Sequence, residues 1–241
     1  MTDRRPAPPT RGAIRLTRRM AVRSVLGLAA AAMPARQLRA QEGTPPSTPA
    51  SAPIQSISVG AMPTTGGQRP GPVGEAPDPV APANPTDPAT IQVEKVGINA
   101  AIEALDIVDG VMQNPTGPWV VAWYRQTATL GEPGNVVLAG HVDYWNVGPS
   151  VFYNLRDLVP GDAIVLTGAN GSRFAYAVEW VETFDIEQLT SGRLAEVVGP
   201  TTTPATTLIT CGGEFDYVNG EYLSRTVVRA HLTDTSGTPA A

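Results

Sequence analysis

From about Thr90 the chain settles into short periodic runs. Ile91-Gln92-Val93-Glu94-Lys95-Val96 alternates apolar and polar positions with a period of two, the pattern of a half-buried strand. Residues 101–108 continue in short apolar steps and stop at Asp109-Gly110, a turn pair. Val136-Val137-Leu138-Ala139 reads as a buried strand. Phe152, Leu155 and Leu158 have helical spacing and share one face, and Pro160-Gly161-Asp162 ends that run. Residues 163–167 and 173–183 predict a hairpin around Asn170-Gly171. Residues 206–210 form another apolar run, and Asn219-Gly220 turns the chain into a last one over 222–232. Short strands punctuated by turn signals predict a mostly β fold, a closed or nearly closed barrel with short helices.

The rest of the chain lacks this pattern. All 14 aromatic residues lie between Trp119 and Tyr222, and residues 1–118 contain none. A segment without aromatics rarely buries enough apolar area to offset chain entropy. One folded domain is therefore expected over 89–234, with a flexible tail at 235–241. Residues 42–88 hold 12 Pro, and Ser, Thr, Gly and Ala fill most of the remainder. Residues 41–88 accordingly read as a disordered, Pro-rich linker. In front of it, Thr17-Arg18-Arg19-Met20-Ala21-Val22-Arg23 sets paired arginines against an uncharged apolar stretch of 12 residues, 24–35. That length suits a signal-peptide core and falls short of the roughly 20 residues that span a bilayer. Residues 1–40 are thus expected to be a twin-arginine-like export signal, cleaved near Ala40 or retained as a signal anchor that tethers the chain to a membrane.

Charge sharpens the division. Residues 1–41 carry nine Arg and one acid, whereas 42–241 carry 21 acids and eight bases. An acidic body argues against nucleic-acid partners, and the basic head fits the positive-inside rule. With a single cysteine, Cys211, and only His141 and His231, neither an internal disulfide nor a zinc site of the usual ligand count is expected. Acids at Glu182, Asp185 and Glu187 read as a solvated loop, and no metal or cofactor is expected.

Few residues remain that could do chemistry. Cys211 follows the 206–210 strand and precedes Gly212-Gly213; a thiol there is either exposed to a substrate or packed as a small hydrophobe. His141 follows the 136–140 strand, with Gly140 permitting a close backbone approach and Asp143 and Asn146 near enough in sequence to orient the ring. His231 sits inside the last strand and reads as structural. Arg225 and Arg229 share one strand face but stand roughly 13 Å apart, so only one can be near a given sulfur.

Taken together these residues resemble the sortase signature. Leu138-Ala139-Gly140-His141, then Thr207-Leu208-Ile209-Thr210-Cys211, then Arg225 at 14 residues beyond the cysteine, is similar to the family's His strand, T-L-x-T-C strand and Arg strand. Gly140-His141-Val142-Asp143 with Gly148-Pro149-Ser150-Val151-Phe152, and Cys211-Gly212-Gly213-Glu214-Phe215-Asp216, look like the actinobacterial-type branch called class F. The resemblance covers about 90–234.

It implies an eight-stranded barrel and an extracytoplasmic cysteine transpeptidase, membrane-anchored or secreted. Such an enzyme cuts a Leu-Pro-x-Thr-Gly-like sorting motif on surface proteins and passes the acyl group to an amine, such as a cell-wall precursor. Carried over, Cys211 is the nucleophile, His141 the general acid/base, and Arg225 the group that stabilises the oxyanion or holds the substrate backbone, with Arg229 its rival. Thr210, Asp143, Gly212 and Gly213 would border the substrate, and Phe215 and Tyr217 would belong to a mobile loop between the last two strands. Two other functions stay open: a peptidase that resolves the thioacyl enzyme with water, and a non-enzymatic barrel that binds peptide or wall polymer.

Overall fold

A computed structural model describes residues 62–64, 66 and 80–235. By its contacts the chain divides at Ala50 into two units, and all the described residues lie in the second. The expected export signal, the linker up to residue 61 and the tail from 236 lie outside the described residues.

The described residues form twelve strands: β1 (Pro88–Val93), β2 (Ile98–Leu105), β3 (Ile107–Val108), β4 (Val111–Met112), β5 (Val121–Tyr124), β6 (Gly134–Ala139), β7 (Asp143–Tyr144), β8 (Gly148–Pro149), β9 (Ala163–Gly168), β10 (Arg173–Asp185), β11 (Pro204–Asp216) and β12 (Glu221–Asp234). Eight of them close a barrel in the order β1-β2-β5-β6-β11-β12-β10-β9, so no barrel edge is left unpaired. β3–β4 and β7–β8 are small separate hairpins. Around the barrel the pairs are antiparallel except β2–β5 and β6–β11.

Alternation decides which side chains fill the barrel. Ile91, Val93, Leu138, Leu166, Leu208 and Val228 belong to one buried cluster in its interior. Their strand neighbours Val137, Ala139, Ile209 and Val227 point the other way and join a second cluster with Phe184 and Val197. That outer face is covered by the excursion after β10: α1 (Ile186–Gln188), a π turn over Leu189–Arg193, and α2 (Leu194–Val198). A capping box starts it, with the Asp185 N–H donating to the Gln188 side chain at 3.1 Å. Gly192, at φ 118°, breaks the helical course, so the buried Leu189, Leu194, Val197 and Val198 follow no single period.

Several local expectations are refined. The alternation from Ile91 stops at Val93, because Glu94–Val96 is a 3-10 turn closed by Gly97 at φ 73°. Asp109 and Gly110, at φ 52° and 79°, make the tight turn between β3 and β4. The helix expected around Phe152 shrinks to turns ending in one 3-10 turn, Leu155–Asp157, although Phe152, Leu155 and Leu158 are buried as their spacing requires. The loop expected between the last two strands is a hairpin whose pairing runs out to Asp216 and Glu221. His231 is exposed on β12.

Ordered contacts begin before β1. The buried Asp87 carboxylate accepts the backbone N–H groups of Ala83 and Asn84 at 3.1 and 2.9 Å, and its carbonyl accepts the N–H of Ala169 at 3.0 Å. The turn before the barrel is thereby fixed to the β9–β10 hairpin. Asp87→Ala leaves two donors unmet and is expected to cost about 1–3 kcal/mol of stability, read as a lower urea midpoint with an unchanged m-value.

Candidate active site

The site grows from the parallel pair β6–β11. Its register aligns Thr206 with Val136, Leu208 with Leu138 and Ile209 with Ala139. Hydroxyls on the inward face of β11 pin that register. Thr206 Oγ1 donates to the Val136 carbonyl at 2.9 Å, and Thr210 Oγ1 donates to the Gly140 carbonyl at 2.8 Å. The Gly140 N–H reaches the Ile209 carbonyl at 3.1 Å and carries the pairing one residue further. His141, just past the end of β6, and Cys211, within β11, are the next residues but one in that register, on neighbouring chains about 5 Å apart.

Gly140 is small for a stated reason. A Cβ there would stand 2.6 Å from Cδ2 of Phe152, a fully buried ring. The Phe152 N–H in turn donates to the His141 carbonyl at 2.9 Å, so the histidine backbone is fixed on both sides. The His141 ring is buried, lies edge-on to Tyr144 at 5.1 Å between centroids, and has Nε2 at 3.1 Å from the Pro115 carbonyl. A carbonyl oxygen can only accept, so Nε2 carries a proton whether the ring is neutral or charged. Nδ1 is then the nitrogen that gains and loses a proton.

β12 completes the site from the other side of β11. Its antiparallel register sets Arg225 opposite Cys211, Val227 opposite Ile209, and Arg229 opposite Thr207. All six share the outer face with the second apolar cluster. Directly opposed Cα atoms stand about 4.5–5.5 Å apart, so Arg225 is the cross-strand neighbour of the thiol. Both arginines are buried, but their partners differ. Arg229 donates to Thr207 Oγ1 at 2.9 Å and to the Val197 and Glu196 carbonyls at 2.6 and 3.3 Å, and it lies over the Trp180 ring. It clamps the end of α2 to the barrel, and burial lowers its pKa. Arg225 donates Nη1 to the Tyr222 and Ser224 carbonyls, each at 3.0 Å, and Nε to the Pro63 carbonyl at 3.3 Å. Among the described residues it makes no ion pair with a carboxylate. A buried guanidinium beside a buried thiol favours the thiolate.

The remaining expected residues fall around this core. Asp143 accepts the Tyr222 hydroxyl at 2.6 Å. Burial first, then that carboxylate, and then the cysteine's charge hold the Tyr222 phenol far above its ordinary pKa, so it stays a donor. Asn146 is exposed in the β7–β8 turn at φ 60°, where it serves the turn. Gly212 and Gly213 sit where the β11–β12 register shifts, and a Cβ on either would come within 2.5 Å of a Thr226 or Ser224 hydroxyl. Thr210 is buried with its hydroxyl committed to Gly140, so it sets where His141 lies relative to Cys211.

Tyr222 and Pro115 were not legible as site residues in the sequence; neither has a spacing that marks it. A groove of about 230 Å³ runs along Arg225, Glu221, Ile186, Leu189 and Leu194. Among the described residues no group of three or more His, Cys, Asp or Glu is placed to hold a metal, and no helix is long and apolar enough to cross a membrane.

A family model described as Sortase domain matches residues 91–233. Among solved structures the chain is similar to sortase A of Listeria monocytogenes, at 21% identity over 64% of this chain and 92% of that one, with a TM-score of 0.48. It is also similar to a lid mutant of sortase A from Corynebacterium diphtheriae, at 23% identity over 64% and 74%, TM-score 0.48. A sortase D5 transpeptidase from Clostridium perfringens matches at 23% identity over 61% and 79%, TM-score 0.44. No curated protein matches.

The two arginines should separate in a stability measurement. Arg229→Met removes the buried guanidinium's bonds to Thr207 and to the Val197 and Glu196 carbonyls and is expected to cost about 1.5–3 kcal/mol. Urea unfolding of that variant beside wild type reads the loss as a lower midpoint.

Proposed function

The chain belongs to the sortase family, and from that premise we propose that it is an exported cysteine transpeptidase of the class F branch acting on Leu-Pro-x-Thr-Gly-like sorting motifs of surface proteins. The observation that carries the reading is the outer-face pair Cys211–Arg225, with His141 at the adjoining strand end. The branch rests on Gly140-His141-Val142-Asp143 and on the run from Cys211 to Asp216.

The Cys211 thiolate attacks the Thr carbonyl carbon of the Thr–Gly bond. A sulfur–carbon bond forms, and the carbonyl electrons move onto oxygen. Collapse breaks the carbon–nitrogen bond, and His141 passes its Nδ1 proton to the departing amine. The incoming amine gives that proton back as it displaces sulfur, and the acyl group ends on the acceptor. Arg225 holds backbone carbonyl oxygens of the substrate or the developing oxyanion, which suits a rigid, permanently charged fork. Thr210 and Gly140 set the Cys–His spacing. Asp143, Gly212 and Gly213 border the substrate. The acceptor is an amine of cell-wall precursor type, reached from an extracytoplasmic position given by residues 1–40, with 41–88 as spacer. No cofactor enters the chemistry.

Incubation of the full chain with a Leu-Pro-x-Thr-Gly peptide, with and without a glycine-based amine, tests this by mass spectrometry. Cleavage after Thr with amine joined to the acyl half is expected, and Cys211→Ala abolishes it. Arg225→Lys is expected to lower kcat/KM by about 10²–10³-fold. Water adducts alone, whatever the amine concentration, would indicate the peptidase. No cleavage by a folded chain with a titratable thiol would indicate a binding module.

A further inference from the structure

The groove beside Arg225 is not lined by the barrel alone. Met62 and Thr64, from well before β1, form part of its wall. With Pro63 and Gly66 they belong to the run Met62-Pro63-Thr64-Thr65-Gly66. Set against Leu-Pro-x-Thr-Gly, this differs only by Met for Leu, a volume-conserving apolar exchange.

Each described position of that run meets a site suited to it. Met62 packs against the second apolar cluster, in the pocket of Ile186, Leu189 and Leu194. Pro63 is buried, and its carbonyl accepts Nε of Arg225 at 3.3 Å. The Thr64 N–H donates to Asn114 Oδ1 at 2.7 Å. Gly66 is buried between the residue after His141 and Tyr222. A Cβ there would stand 2.6 Å from Val142 Cγ1 and 2.9 Å from the Tyr222 ring, so glycine is the residue that fits. The described residues of the run therefore pass from the apolar pocket by way of Arg225 to the residue after His141. Backbone groups hold it at two points, an apolar side chain anchors one end, and a size limit selects the other.

We propose that residues 62–66 are a tethered competitor in cis: a sorting-motif-like segment of the chain itself that occupies the substrate groove and must leave before an external motif can bind. The inference rests on the reading of the groove as a sorting-motif site. Only 13 residues, 67–79, separate Gly66 from Val80, where the described domain resumes. A connection of that length gives an effective concentration on the order of millimolar, so a segment with only weak intrinsic affinity still keeps the groove occupied. The segment also carries its own Thr65–Gly66 bond. Acyl transfer there would join the Cys211 sulfur to the Thr65 carbonyl carbon and release Gly66 as an amine, protonated from His141. Water would then free residues 1–65.

The test uses the full chain and the double variant Met62→Asp/Gly66→Val, which puts a charge in the apolar pocket and a side chain where none fits. Both positions lie outside the barrel strands, and thermal unfolding confirms that the variant is folded. Two readouts are taken. The first is the rate of Cys211 alkylation by iodoacetamide, which needs no substrate. It is expected to rise about tenfold in the variant and to fall back when free Met-Pro-Thr-Thr-Gly peptide is added. The second is turnover of a Leu-Pro-x-Thr-Gly peptide, with KM about tenfold lower in the variant and kcat unchanged. Met62→Leu is expected to behave as wild type. A Cys211-dependent fragment beginning at Gly66 would also support the seat. Equal alkylation rates and equal KM in wild type and variant would overturn the proposal while leaving the sorting-motif reading intact. Faster alkylation, with no peptide cleaved by either chain, would sink the sorting-motif reading and leave the tethered occupant standing.

Discussion

The parallel register of β6 against β11 is the constraint on which the site depends. A slip of one residue would move every side chain of β11 to the opposite face. Cys211 would then enter the barrel interior, and Arg225 would lose its neighbour. Parallel pairs are slightly weaker per residue than antiparallel ones, and this one is reinforced from within. Thr206 and Thr210 each bond a carbonyl of the β6 chain, while Thr207 reaches Asn135, whose amide holds the Val197 and Gly199 carbonyls of the covering segment. The threonines of β11 thus lock the two strands and the helical cover into one assembly. Because every one of these hydroxyls is buried, an unmet partner would be costly, and that cost keeps the register unique.

The same alternation separates two functions on one strand. Leu208 faces inward and helps fill the barrel, whereas Ile209 faces outward under α2. Two residues beyond Ile209 the cover ends, and Cys211 and Arg225 lie at the rim of the second apolar cluster. The groove inherits its apolar wall from that cluster, through Leu189 and Leu194. The position of Cys211 and the character of the pocket beside Arg225 are consequences of one packing arrangement. Arg229 bonds to α2 whereas Arg225 lines the groove, which explains why two buried arginines on one face have separate partners.

Much of this was legible in the sequence where the signal is local. The β9–β10 and β11–β12 hairpins follow from alternation and from Asn-Gly turns, and Cys211, His141 and Arg225 stand in a recognisable string. β5 escapes because Val121–Tyr124 is four residues long and buried throughout, so it shows no alternation. The segment from α1 to α2 escapes because the kink at Gly192 erases the helical period. Tyr222 and Asn114 act only through partners far away in sequence, 79 and 50 residues distant, which no spacing rule reaches. Composition set residues 62–66 within a Pro-rich linker, and composition is blind to order. What gives those residues a place is a pocket, a guanidinium and a size limit supplied by the folded domain.

That last point bears on how the groove can discriminate. Its contacts to the run at 62–66 are mostly to backbone: Arg225 to a carbonyl and Asn114 to an N–H. Backbone contacts are indifferent to side chains, so selectivity must come from the two ends. One end is an apolar pocket in which Leu and Met differ little, since one methylene of mismatch is worth only about 1–3 kcal/mol. The other end is the gap between Val142 and Tyr222, which rejects any Cβ. On the proposed function, a site built this way would read the outline of a motif rather than its middle, and an internal segment with the same outline would be hard for it to refuse. Discrimination against such a segment then falls to tether length and concentration, quantities set by the chain outside the barrel.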